Sequence, residues 1–159
     1  MRNPSLLISL TTLLVSAMPL LAEVKLASPF TAHMVLQREM KMPVWGTAES
    51  GELVTVEFAG QKKTATAGAD GRWQVALDSL PASDEGRVFT VSGSKTTQAI
   101  ALDDVVVGEV WLASGQSNMD FSVSKKVKSF AGVTDEEKEI AAANFPFILL
   151  FTFTALPSY

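Results

Sequence analysis

Short runs of alternating hydrophobic and polar residues, separated by turn signals, dominate residues 23–103. In Leu53-Val54-Thr55-Val56-Glu57-Phe58, the residues Val54, Val56 and Phe58 fall on one face and Thr55 and Glu57 on the other. That is the period-two pattern of a half-buried strand. Val44-Trp45-Gly46 follows Pro43, and Gly60-Gln61 turns the chain into Thr64-Ala65-Thr66-Ala67. Asp70-Gly71 is a hairpin signal and precedes Arg72-Trp73-Gln74-Val75-Ala76-Leu77. A loop over Pro81 to Gly86 leads into Arg87-Val88-Phe89-Thr90-Val91. About six strands with no helical stretch predict an antiparallel β-sandwich. Trp45, Phe58, Trp73 and Phe89 are expected to pack its core rather than to form a sugar-stacking platform.

The texture changes at Asp104. Val105-Val106-Val107-Gly108-Glu109-Val110-Trp111-Leu112-Ala113 reads as a strand buried on both faces, and it stops at Ser114-Gly115-Gln116-Ser117-Asn118-Met119. Thr134-Asp135-Glu136-Glu137 has the form of a capping box. The helix it predicts continues through Lys138 to Ala143 and ends at Asn144 and Pro146. Phe147 to Phe153 is a second apolar strand candidate. Strand, helix, strand is the opening of an α/β domain built on a parallel sheet. Lys125-Lys126-Val127-Lys128 reads as a solvated loop between the serine turn and the helix.

The amino terminus stands apart from both regions. Arg2, the apolar run from Leu6 to Val15, and then Ser16 to Ala22 have the layout of a secretory signal peptide. Cleavage after Ala22 or after Ala17 satisfies the rule in part or in full. The expected organisation is a signal peptide at 1–22, a β-sandwich at 23–103 and the start of a hydrolase-like domain at 104–159. A secreted or periplasmic protein follows, with no membrane attachment after cleavage.

Composition narrows the chemistry. The 159 residues hold no cysteine and a single histidine, His33. Disulfides, thiolate metal sites and a cysteine nucleophile are excluded, as is a metal site built on several histidines. Seventeen acidic residues against 13 basic ones give a net charge of -4, which argues against nucleic acid as a partner.

Ser117 is the residue that can carry a reaction. A strand that ends in Gly-Gln-Ser-Asn delivers a hydroxyl to the carboxyl end of a sheet, where ligands bind in open α/β folds. Gly115 lets the backbone turn, and neighbouring N–H groups can face a developing oxyanion. The same residues equally make an ordinary polar turn.

The wider string resembles the sialate O-acetylesterase family, a branch of the SGNH (GDSL-like) hydrolases. The resemblance rests on His33-Met34-Val35-Leu36-Gln37-Arg38, Pro43-Val44-Trp45-Gly46, Val54-Thr55-Val56-Glu57-Phe58-Ala59-Gly60-Gln61 and Asp70-Gly71-Arg72-Trp73. It rests most of all on Val107-Gly108-Glu109-Val110-Trp111-Leu112-Ala113-Ser114-Gly115-Gln116-Ser117-Asn118-Met119. The resemblance implies a mostly β chain, with an antiparallel sandwich followed by the start of an α/β/α hydrolase domain. It implies Ser117 as catalytic nucleophile, with its N–H an oxyanion donor and with Gln116 and Asn118 in oxyanion-hole or supporting roles. It implies an O-acetylated sugar or glycan as substrate, and no metal or organic cofactor.

The family's other parts do not follow Ser117 here. Its triad Asp and His lie near the carboxyl terminus, and no histidine follows Ser117 in these 159 residues. His33 sits inside a sandwich motif and is expected to be a structural or surface residue. Asp120 has no imidazole to orient. About 55 residues stand where a hydrolase domain of roughly 200 belongs. The expectation is a truncated product: a gene fragment, a frameshift near residue 150, or a piece of a longer protein. Two functions remain open. One is a secreted carbohydrate O-acetylesterase, inactive as this chain alone. The other is a non-catalytic β-sandwich for sugar binding or domain packing.

Overall fold

The computed structural model describes residues 23–127 and 132–152, without the side chain of Asp120. The expected signal peptide at 1–22 lies outside the described residues, as do Lys128 and Phe153.

Eight strands form between Lys25 and Gly108. They are β1 (Lys25–Leu26), β2 (Val35–Gln37), β3 (Met42–Thr47), β4 (Leu53–Phe58), β5 (Gln61–Thr66), β6 (Arg72–Leu77), β7 (Ser83–Gly93) and β8 (Ile100–Gly108). They make a three-stranded sheet ordered β1-β3-β6 and a five-stranded sheet ordered β2-β8-β7-β4-β5. The inward rows of both sheets belong to one hydrophobic core. Val54, Val56 and Phe58 of β4 are buried as their alternation requires, and Trp73, Val75 and Leu77 form the inward row of β6. Phe89 lies 5.6 Å from Phe58, ring to ring, and 6.4 Å from Phe30.

Trp45 departs from expectation. Val44 of β3 points into the core, so period two turns Trp45 outward, and it is 41% exposed. Its ring meets Phe30 edge-on at 4.9 Å.

The turns also differ from their expected roles. The tight hairpin joins β4 to β5, with Phe58 opposite Gln61. Its two loop residues, Ala59 and Gly60, have φ of 49° and 77°. Both values are positive, as a two-residue hairpin matched to strand twist requires. Asp70-Gly71 turns the chain with φ of 75° at Gly71, but the strands on either side do not pair. β5 is an edge of one sheet and β6 an edge of the other, so this turn carries the chain between sheets. The expected loop at 81–86 gives way to strand from Ser83, with register shifts between Ser83 and Phe89 where β7 pairs β8. One pairing is parallel rather than antiparallel: β2 runs beside β8 with Val35 opposite Val106 and Gln37 opposite Gly108.

β8 crosses residues 103 and 104 without a break and ends at Gly108. The long strand expected to run on to Ala113, buried on both faces, is not formed. Val105 and Val107 are buried in alternation, whereas Trp111 is 87% exposed. A strand covered on both faces needs layers on both sides. Residues 109–113 have none among the described residues. The helix, α1 (Glu136–Ala142), lies where it was expected, but the capping box does not form. Asp135 takes the cap position with φ of 59° and no side-chain cap bond. The Glu136 carboxylate instead accepts the Lys125 N–H at 2.9 Å and the Ser124 hydroxyl at 3.3 Å. Residues 147–152 form no strand, and Leu150 is 92% exposed.

Candidate active site

Ser117 opens a single 3-10 turn, Ser117–Asp120, closed by Met119 N–H donating to Gln116 O at 2.9 Å. Gln116, Ser117 and Asn118 are all exposed. The structure therefore presents the hydroxyl on a tight, polar turn. Gly115 packs closely beneath it, since a Cβ there would come within 3.1 Å of the Met119 side chain. Among the described residues, no hydrogen bond engages the Ser117 hydroxyl.

The one histidine is committed elsewhere. His33 Nδ1 lies 2.8 Å from Asp104 Oδ2, with both side chains more than half exposed. Both residues have left-handed backbones, with φ of 61° and 55°. The His33 N–H donates to Asp103 O at 3.0 Å. This pair sits at the entering ends of β2 and the paired part of β8, whereas Ser117 follows the other end of β8. His33 is thus a surface residue hydrogen-bonded to Asp104 at the opposite end of the β2–β8 pairing, and the described residues bring no imidazole to Ser117. Among them there is also no cluster of three or more acidic, His or Cys side chains able to hold a metal ion. No helix among them is long and apolar enough to cross a membrane.

The segment leading to Ser117 is held by Gln37, Arg38 and Glu109, to which the sequence alone assigns no role at the site. Gln37 Oε1 accepts the Val110 N–H at 2.8 Å, and Gln37 Nε2 donates to Glu109 Oε2 at 3.1 Å. The Arg38 N–H donates to Gly108 O at 2.9 Å. The Arg38 guanidinium bonds Glu39 and lies 3.7 Å from Glu109, and these two carboxylates hold its pKa above the usual value, with Glu39 contributing most. The two motifs that carry the resemblance, one around Gln37 and one around Glu109, are therefore in direct contact. The local signal is slight: Gln37 and Arg38 follow Val35-Leu36, and Glu109 interrupts the apolar run from Val105 to Ala113.

A shallow groove of about 560 Å³ opens elsewhere, over β3 and β6. Trp45, Thr47, Arg72 and Gln74 line it together with Leu26 and Thr66.

No family model matches the chain. Curated relatives do. Sialate O-acetylesterase of Rattus norvegicus is 36% identical over 107 residues, 62% of this chain and 20% of that protein. The Homo sapiens sialate O-acetylesterase is 36% identical over 110 residues, with the same coverage of 62% and 20%. The resemblance is to sialate O-acetylesterases. A crystal structure of a carbohydrate acetylesterase from Xanthomonas citri agrees, with a TM-score of 0.65 and 34% identity over 77% of this chain and 26% of that one. The chain spans about a fifth of the length of the curated sialate O-acetylesterases it matches, a coverage that fits an N-terminal portion.

Proposed function

We propose that this chain is the opening of an exported carbohydrate O-acetylesterase of the SGNH type. In this reading the two sheets are a sandwich domain whose last strand hands the chain to the nucleophile, Ser117. The observation that carries it is the likeness to acetylesterases in both sequence and structure, over a chain in which the serine turn is the next element after β8. The two exposed apolar segments, one with Trp111 and Leu112 and one with Ile148 and Leu150, support the same reading, because an α/β/α domain covers such residues with further strands and helices.

The chemistry is acyl transfer to water. The Ser117 hydroxyl attacks the acetyl carbonyl while a base takes its proton. Backbone N–H groups at the turn, with Gln116 and Asn118 in support, hold the oxyanion of the tetrahedral intermediate. The sugar alkoxide leaves with the proton returned to it, and water then releases acetate from the serine. His33 sits at the opposite end of the β2–β8 pairing from Ser117, so in this reading the imidazole for the relay comes from further sequence.

Acetate release from O-acetylated sugars tests the reading. The 159-residue chain alone should show negligible turnover, and the same coding sequence extended through an Asp and His pair should turn over. Ser117→Ala should abolish that turnover. Robust Ser117-dependent release from a homogeneous monomer of these 159 residues contradicts the missing base. Unchanged release in Ser117→Ala of the extended protein contradicts the nucleophile.

A second reading, a sugar-binding sandwich module, is favoured by one observation. Trp45 presents an outward indole beside Arg72 and Gln74, an aromatic face flanked by hydrogen-bonding groups.

A further inference from the structure

We propose that Gln37 is a positioning residue for the Ser117 segment, its side-chain amide standing in for the backbone bond at which β8 parts from β2. The inference rests on the reading of Ser117 as nucleophile for its purpose, but its geometry stands on its own.

In a parallel ladder, a residue donates its N–H to one partner carbonyl and accepts at its own carbonyl from the N–H two residues further along that partner. Arg38 makes the first of these bonds, donating to Gly108 O at 2.9 Å. The second should run from Val110 N–H to Arg38 O. It is not made directly. Val110 N–H donates to Gln37 Oε1 at 2.8 Å, and Gln37 Nε2 donates to Arg38 O at 3.3 Å. The amide therefore sits in the gap between the two backbone groups, acceptor toward one and donor toward the other. A primary amide is the only side-chain group that offers both in the arrangement of a peptide unit.

The gap has a cause. Glu39 has φ of 58°, and its N–H turns to Leu80 O at 2.8 Å, so the chain leaves the line of β2 one residue after Arg38. The same amide nitrogen also reaches Glu109 Oε2 at 3.1 Å, which ties down the side chain next to the bridged N–H. Ser117 lies seven residues beyond Val110, a reach of up to roughly 25 Å if fully extended. Fixing the direction in which the chain leaves β8 thus restricts where the hydroxyl can go.

Backbone amide exchange and ¹⁵N relaxation on the 159-residue chain test this. In Gln37→Ala, exchange at Val110 should quicken by about tenfold, the loss of one net hydrogen bond. Backbone order at residues 111–117 should fall, while amides of β4 and β7 stay within about twofold. Gln37→Glu and Glu109→Gln should each loosen Val110, the first by setting two carboxylates together. The double swap should restore protection only in part, because the carboxylate then at position 37 can accept both the Val110 N–H and the new amide at position 109 but cannot donate to Arg38 O. Unchanged exchange at Val110 in Gln37→Ala overturns the bridge, as does a double swap no better protected than the single variants. Faster exchange at Val110 with unaltered order at 111–117 overturns the positioning role. A failure of Ser117 as nucleophile shows in acetate release instead and leaves these rates as stated.

Discussion

Glu52 is a carboxylate with no solvent exposure, and its removal should cost the fold more than the loss of any exposed ion pair. Its Oε1 accepts the N–H of Lys95 at 3.0 Å, the N–H of Thr96 at 3.1 Å and the Thr96 hydroxyl at 3.0 Å. Its Oε2 accepts the Glu49 N–H at 3.1 Å. The Thr96 hydroxyl in turn accepts the Val24 N–H at 3.1 Å, so one carboxylate ties together the start of β4, the turn after β7 and the approach to β1. Gly93 leaves room for it, since a Cβ there would collide with Oε1. Glu52→Ala strands four donors. If two of them stay dry at roughly 2 kcal/mol each, the loss is about 4 kcal/mol. That is a large share of the stability of a small domain, and a drop in Tm of at least about 15 °C follows. Glu52→Gln keeps an acceptor at the Oε1 position but sets an NH2 against the Glu49 N–H, for a loss of about 2 kcal/mol.

The pH dependence supplies an independent check. Burial pushes the Glu52 carboxyl up, and the donors from Lys95, Thr96 and Glu49 more than reverse this, so its pKa lies below the ordinary 4.5. A carboxyl depressed by folding stabilises the fold above its unfolded pKa, and this stabilisation is lost as pH falls through the folded value. The difference in Tm between wild type and Glu52→Gln should therefore be full near neutral pH and narrow once pH drops below about 4.5. Calorimetric melts across that range make the measurement. A Glu52→Ala protein melting within about 3 °C of wild type, or a wild-type-to-Gln difference independent of pH, would falsify the clamp.

Two further substitutions probe the other sheet. Gly46→Ala would drive a Cβ into the Lys25 carbonyl and to 2.9 Å from the Trp73 ring, prying β1 from β3. It should cost about 3 kcal/mol in denaturant unfolding, and a loss below about 1 kcal/mol would show that the strand yields freely. Trp45→Ala should cost the fold about 1–2 kcal/mol, because the ring faces outward yet packs edge-on against Phe30, and should weaken any glycan titrated by NMR onto β3 and β6. Equal shifts in wild type and variant would remove the sugar-binding reading.

What the sequence made legible tracks how local its causes are. Val54, Val56 and Phe58 declared their inward face because alternation is a property of neighbours in the chain. Trp45 faces outward despite its size, because Val44 beside it takes the inward position on the same strand. Asp70-Gly71 announced a turn correctly, but no dipeptide encodes whether the strands it joins will pair with each other. The parallel contact of β2 with β8 joins residues some 70 positions apart and has no local mark at all. The placement of α1 was legible from its stop signals. Its cap was not, because the helix starts from Asp135 rather than Thr134, which puts Lys138 instead of Glu137 at the third helical position. At the candidate site, the serine turn was visible in Gly115 and Ser117, whereas the amide bridge at Gln37 depends on two strands meeting.

The same contrast explains why residues 105–113 misled. Four valines, a leucine and a tryptophan in nine positions promise burial, and the promise holds only as far as the sheet supplies a neighbour. β2 lies beside β8 up to Gly108, and there Val105 and Val107 are buried. One step later β2 turns away, the Gln37 amide makes the last ladder contact, and Val110, Trp111 and Leu112 are exposed despite equal hydrophobicity. The change is thus one of partners rather than of intrinsic propensity. Strands of this composition gain their stability from layers on both faces. A protein that places further strands and helices around residues 109–113 would extend β8 toward Ala113 and carry Ser117 to the edge of a second sheet. The bridge at Gln37 is then the point at which one sheet hands the chain to the next.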